Sequence, residues 1–454
     1  MVPPVRRRRD EEPARTPEPP AWVLAGRAFL RGKLQPVEIA IDDAGRIQSI
    51  GRVRAGAPRH DVGDAVILPA ATDLHVHFRE PGGATEAENL ATGTVEAALG
   101  GVTLVGEMPN TRPPVTDREG LESKAALVRG RAAVDVLLYG SPTVPRARED
   151  LSRAAGGFKL YLSPTTGIDD PPAAGAVPGL LASLGPLGLP VSVHAEDPRA
   201  FRTGAPPADA AAWDAARPAR AEVAAIELLA DRPAELRLHV AHVTTAASVQ
   251  RLRASGLSFE ATPHHLLLST AAVRADPSGK VNPPLRGETE RAALWSAFRQ
   301  GEIPCLASDH APHPAEAKSV EYARAPSGTP GVETMLPLML AKVRTGELSL
   351  PVLLAAACDR PARWLGQPLG RLAPGHRANL LVVDFRHRST IEARRLHAPC
   401  GFSAFEGWEG IFPREHYRDG RAIVKDGEFV GGRGGTVVRP EYARGATPAS
   451  APPL

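Results

Sequence analysis

The 454-residue chain has three cysteines, 5% aromatic residues and a net charge of only +3. Each shortage excludes something. Cys305, Cys358 and Cys400 are far apart and odd in number, so they supply neither a disulfide framework nor a thiolate zinc site. They suit a reducing cytoplasm. The sparse aromatics offer no base-stacking platform, and charges of both signs are spread along the chain. A nucleic-acid footprint is therefore not expected. No stretch reaches the roughly 18 apolar residues that a membrane span needs, so no membrane partner is expected either. The opening MVPPVRRRRDEEPARTPEPP lacks the apolar segment of a signal peptide. Residues 1–20 and 441–454 read as disordered tails.

Between the tails the texture changes twice. Residues 21–68 carry short β-like runs, WVLAGRAFL, VEIAID, GRIQSIG and AVILPA, punctuated by Gly and Asp. From residue 69 to 369, short apolar strands alternate with helical stretches such as REGLESKAALVRGR and RAEVAAIELLA. Such alternation predicts βαβ units and a parallel sheet. The strands are DLHVH, GVTLVGEM, VDVLLYG, GFKLYL, PVSVHAE, ELRLHVAHV, LSFEATP and IPCLASD. Eight is the number that closes a barrel. Residues 370–440 return to β texture in ANLLVVDF and RAIVKDGEFV. The expected fold is α/β: a (β/α)8 TIM-type barrel with a small β-sandwich domain built from both chain ends.

A barrel places its chemistry at the C-terminal ends of its strands, and the distinctive residues of this chain fall there. His75 and His77 are two apart on a strand, so they share a face and can meet at one metal ion. Two hydrogen-bonded structural histidines are the alternative. In GFKLYL, Lys159 lies on the face opposite Phe158, Leu160 and Leu162. If that face is the barrel interior, the lysine needs a partner or a change of chemical form. A neutral ε-amine that adds CO₂ becomes a carbamate with two metal-ligating oxygens; a lysine lying along the surface is the alternative. PVSVHAED ends in His194, and ELRLHVAHVTT offers His239 and His242 on opposite phases, either of which is free to be structural. IPCLASDHAPH runs into Asp309, with His310 and His313 in the loop beyond. A carboxylate there can ligate metal and also move protons. Together, His75, His77, Lys159, His194, His242 and Asp309 form an N and O ligand set suited to zinc or another divalent first-row metal.

At this point the sequence resembles the dihydroorotases of the amidohydrolase superfamily, in particular the class found in bacteria, archaea and the multifunctional animal enzyme. The resemblance rests on DLHVHFREPG, GEMPNT, FKLYL, VHAED, HVAHVTT, FEATPHHLLLS, KVNPPLR and ASDHAPH, and runs from about residue 22 to 430. It implies two zinc ions per subunit. His75, His77, Lys159 and Asp309 would hold one and Lys159, His194 and His242 the other, with N6-carboxylated Lys159 bridging. It implies that Arg79, Asn110 and His313 hold a substrate carboxylate, and that Asn282, Ser327 and Gly328 line the ring. The loop Ser163–Asp170 departs from the animal enzyme's, so Thr165 and Thr166 take no role from the resemblance. Glu260, His264 and His265 stand near the site as supporting or purely structural residues.

The implied activity is reversible, zinc-dependent cyclisation of N-carbamoyl-L-aspartate to dihydroorotate in pyrimidine biosynthesis, with Asp309 carrying the proton. Two rivals stand beside it: an allantoinase or hydantoinase, and a non-catalytic dihydroorotase-like scaffold for aspartate transcarbamoylase. The substrates of the first lack the ring carboxylate that Arg79, Asn110 and His313 would meet. The second would have lost ligands that are present here. The implied partner is a small molecule, in the cytoplasm. A homo-oligomer and association with aspartate transcarbamoylase both stay open.

Overall fold

The computed structural model describes residues 19–30, 32–53 and 56–442. The tails expected to be disordered therefore fall almost wholly outside the described residues. Four strands come first: β1 (Trp22–Leu30), β2 (Lys33–Ile41), β3 (Ile47–Ile50) and β4 (Arg59–Pro69). β1 and β2 form an antiparallel hairpin, while β4 runs parallel to β1. Alternate side chains of these strands, including Leu24, Ala28, Ile39, Ile41 and Ile67, pack into a core of their own.

The chain passes from β4 through Ala70 straight into the second sheet. Its strands are β5 (Ala71–Val76), β6 (Val102–Glu107), β7 (Asp135–Gly140), β8 (Gly157–Tyr161), β9 (Val191–His194), β10 (Leu238–Val240), β11 (Ser258–Ala261) and β12 (Cys305–Leu306). Each pairs in parallel with the next in sequence order. The ring closes beyond β12, where Val76 bridges His310 and the His77 N–H donates to the His310 carbonyl at 2.7 Å. Every residue of these eight strands is buried. That follows from parallel strands with side chains inside the ring on one face and helices on the other. The expected (β/α)8 barrel is present.

After the barrel come β13 (Leu380–Val383), β14 (Ser389–Thr390), β15 (Glu409–Gly410), β16 (Glu415–Arg418), β17 (Arg421–Lys425) and β18 (Glu428–Phe429). β13, β16, β17 and β18 extend the first sheet in the order β18-β17-β16-β13-β4-β1-β2-β3, so both chain ends build it. These eight strands form one continuous hydrogen-bonded sheet. β19 (Val437–Val438) leaves it and pairs with barrel strand β7. Among the described residues no helix is long and apolar enough to cross a membrane.

Candidate active site

The open end of the barrel holds a cavity lined by His75, His77, Arg79, Asn110, Tyr161, Thr165, Thr166, His194, His242, Asn282, Asp309, Ala311, Ser327 and Gly328. Lys159 lies just beneath. It is fully buried, with Nζ 3.3 Å from His75 Nε2. His313 lines an adjoining cavity that shares Arg79, Asn110 and Thr166. The six expected ligands and six expected substrate contacts thus converge on one place. Three of them, Arg79 (φ 61°), His242 (φ 37°) and Asp309 (φ 47°), stand in the left-handed region just past their strands. Such conformations cost energy for residues with a Cβ and persist where the surroundings impose them.

The ring tautomers follow from the partners. Asn110 Nδ2 donates to the Thr166 carbonyl at 2.9 Å, so its Oδ1 accepts from His77 Nδ1 at 2.7 Å. Glu260 Oε1 accepts from His75 Nδ1 at 2.8 Å. The two Nε2 atoms therefore carry lone pairs, yet they face each other 3.2 Å apart. Asp309 Oδ1 is 3.3 Å from each of them. Two lone pairs and a carboxylate oxygen carry no proton to share with one another, and the neighbouring donor, Lys159 Nζ, is 3.3 Å from His75 Nε2. They can share a cation, and the ligand atoms of His75, His77 and Asp309 all lie within 4.8 Å of one another. On the other side, Glu196 Oε2 accepts from His194 Nε2 at 2.9 Å, which turns a bare Nδ1 towards His242 Nε2 at 3.0 Å. His242 Nδ1 has no partner among the described residues.

Burial, helped by Lys159, holds His75 well below the usual imidazole range, and burial with Arg79 does the same to His77. Burial pulls Lys159 down to about 8 against the opposing charges of Glu260 and Asp309. It pushes Asp309 up to about 7, although Lys159, His194 and Arg79 work against it. Burial would raise Glu196 too, but Arg217 and His194 hold it far below the usual carboxylate range. Arg79 is lowered to about 10 by burial. Its Nε donates to the Pro312 carbonyl at 2.8 Å, and among the described residues no carboxylate forms an ion pair with it.

The family model described as dihydro-orotase-like matches residues 64–162. A dihydroorotase of Methanosarcina acetivorans is 35% identical over 449 residues, covering 90% of this chain and 94% of its own. One from Halobacterium salinarum is 37% identical over 429 residues, with 92% and 99% covered. The chain belongs to the dihydroorotase family. Its fold is also that of the L-hydantoinase (dihydropyrimidinase) from Arthrobacter aurescens, with a TM-score of 0.84, 26% identity, and 92% and 99% of the two chains covered. The chain is a cyclic amidohydrolase.

Several supporting residues of this dihydroorotase-family site were not legible, or only partly so. Glu260 joins two histidines, accepting from His239 Nε2 at 2.9 Å with its second oxygen. His239 is thereby structural, its Nδ1 facing Ser258 Oγ at 2.8 Å. Tyr161 follows Lys159 by two residues, a spacing that signals the same face, and it lines the cavity. Thr165 and Thr166 are on the cavity wall as well: Asn282 Nδ2 donates to Thr165 Oγ1 at 3.2 Å, and Thr166 Oγ1 donates to the Ser327 carbonyl at 3.1 Å. Arg217, which pins Glu196, carries no local signal. His264 and His265 are buried; His265 Nε2 donates to the Pro283 carbonyl at 3.0 Å, next to Asn282. Gly328 has φ 139°, and a Cβ there would stand 2.3 Å from the Ala311 carbonyl oxygen, so only glycine fits this wall. Glu88, Glu96 and His310 also cluster, but His310 Nδ1 accepts from Gly331 and Val332 N–H. That leaves its Nε2 to donate to Glu88 at 3.3 Å, with no lone pair for a metal.

Glu260→Gln offers an early check. A carboxylate can accept from both His75 and His239, whereas an amide must turn its NH₂ towards one of them. The expected result is divalent-metal affinity weakened about 10–100-fold, read by competition with a chelator. Unchanged affinity would mean that His75 keeps its orientation without the charge.

Proposed function

We propose that this chain catalyses the reversible cyclisation of N-carbamoyl-L-aspartate to (S)-dihydroorotate, the ring-forming step of pyrimidine synthesis, with two zinc ions bridged by carboxylated Lys159. The observation that carries the reading is the Arg79 guanidinium. It is buried, lacks a carboxylate partner among the described residues, and borders the same cavity as the facing histidine lone pairs. A site for an uncharged ring has no use for such a group. An anionic ring does, because the guanidinium fork, whose Nη2 lies 3.4 Å from His313 Nε2, can meet a carboxylate through two parallel N–H···O bonds.

The donor set fits the implied metals. His75, His77 and Asp309 would hold one ion and His194 and His242 the other, with Lys159 between them. Lys159 enters as a neutral amine: an N–C bond forms to carbon dioxide, one C–O π bond opens onto oxygen, and a proton leaves, giving a carbamate of charge −1. When bound, the ions supply Lewis acidity, polarising the ring carbonyl and making water nucleophilic near neutral pH. Asp309 accepts the proton of the attacking water at a carboxylate oxygen and delivers it to the departing ring nitrogen. In ring closure it runs the same transfer backwards. Asn110 keeps His77 in its tautomer and presents its amide to the cavity, while Asn282, Ser327 and Gly328 wall the ring.

The test compares two substrates on metal-matched samples of Arg79→Met. Losing a bidentate contact leaves the substrate charge unpaired and is expected to cost on the order of 2–5 kcal/mol in kcat/KM for dihydroorotate. A cyclic imide without a carboxylate should change much less. Equal losses on both would show that Arg79 does not read the carboxylate. Preference of the unaltered protein for hydantoin or allantoin would move the assignment to a hydantoinase or allantoinase.

A further inference from the structure

Two buried lysines take no part in this chemistry. Lys280 and Lys318 are 3% and 5% exposed, and among the described residues neither hydrogen-bonds a carboxylate. Lys280 Nζ donates to the carbonyls of Tyr322 (2.7 Å), Ala323 (3.2 Å) and Ala325 (2.7 Å). Lys318 Nζ donates to those of Pro277 (2.8 Å), Lys280 (3.2 Å) and Pro326 (2.9 Å). Three acceptors around one nitrogen need three N–H groups, so the geometry satisfies the ammonium and not the amine. Such a charge is costly to bury, and burial pushes Lys318 down to about 7. Lys280 gains a little from the Trp213 ring, 4.8 Å away.

The cost is informative because of what the two ammonium groups tie together. The Lys280 carbonyl accepts both from Lys318 Nζ and from the Gly328 N–H at 2.8 Å. Asn282 follows Lys280 by two residues, and Ser327–Gly328 follow Pro326 directly. Lys318 ends the one-turn helix Ala315–Lys318, which starts just after His313. Among the described residues no strand pairing aligns residues 276–283 with residues 319–328; the carbonyl-to-lysine bonds, the Gly328 bond and an apolar cluster shared by Val281 and Tyr322 join them.

We propose that Lys280 and Lys318 are positioning residues that hold the Asn282 and Ser327–Gly328 walls of the cavity at a fixed separation, and so set substrate affinity without touching the reacting atoms. The choice of substrate rests on the dihydroorotase reading above. Lys280→Met and Lys318→Met keep most of the stem and remove the three donors. In the metal-loaded enzyme each is expected to raise KM for dihydroorotate by about tenfold or more, with kcat within about threefold of the unaltered protein. Metal content should be unchanged. Unchanged KM, or a loss carried by kcat or by metal content, overturns the proposal. Amide hydrogen exchange on the unaltered protein needs neither folded variants nor turnover. Residues 276–283 and 319–328 should open as one cooperative unit, and independent opening at different free energies overturns the proposal. A protein that does not act on dihydroorotate removes the substrate reading but leaves the exchange result to decide the clamp.

Discussion

Lys159→Ala should strip the protein of bound metal and of activity together, and small carboxylic acids should restore part of both. The side chain is fully buried, with Nζ 3.3 Å from His75 Nε2 and, among the described residues, no carboxylate within hydrogen-bonding distance. As an ammonium it would repel the very cations that the histidines attract. As a carbamate it reverses sign and offers two oxygens, which is why one lysine among bare imidazoles fits a two-metal site. The unaltered protein should carry about two ions per chain, and the variant clearly fewer. Truncation also leaves a cavity the size of the lost stem, which acetate or propionate can enter with a carboxylate foremost. Metal analysis and dihydroorotate hydrolysis, measured with and without added acid, give the answer. Full activity in the variant without acid would remove the bridging role.

Asp309→Asn should keep the fold and much of the metal while losing turnover by roughly 10²–10⁴-fold, the usual yield of a positioned acid–base group. At about 1.4 kcal/mol per decade that is about 3–5 kcal/mol of transition-state stabilisation. Asparagine is the right replacement for a backbone reason. Asp309 has φ 47°, a region that asparagine tolerates and alanine does not. The amide can still offer an oxygen to a cation, but it cannot accept the proton. The change in kcat therefore isolates proton transfer from strain and from ligand loss. Near-normal kcat in a metal-loaded variant would assign the proton to another group, with His313, beside Arg79 in the adjoining cavity, the first to examine.

Elements governed by local periodicity were legible from the chain. β5 to β12 fall on the eight apolar runs, because parallel barrel strands are buried on both faces and so stand out as short, nearly continuous hydrophobic stretches. β16 was not visible: Glu415–Arg418 reads EHYR, yet Glu415, His416 and Tyr417 are buried. Glu415 accepts from the Tyr417 hydroxyl at 2.6 Å, and His416 Nδ1 donates to the Ala98 carbonyl at 2.8 Å. A strand whose buried side chains are mostly polar has no hydrophobic alternation to betray it.

The same division runs through the candidate site. Side chains two apart on a strand share a face, so His75 with His77, and Lys159 on the face opposite Phe158 and Leu160, followed from the sequence. The order of strand ends around a barrel then brought His194, His242 and Asp309 to the same mouth. Apart from Glu196, two residues on from His194, what the ring nitrogens face depended on contacts that no local pattern encodes. Glu260 reaches His75 from 185 residues away, Asn110 reaches His77 from 33, and Arg217 reaches Glu196 from 21. Those partners decide which nitrogens keep their lone pairs, and so whether six suitable residues can act as one site. The spacing of a strand is a property of consecutive peptide units and is written in the chain; a hydrogen bond across a barrel exists only once the ring has closed.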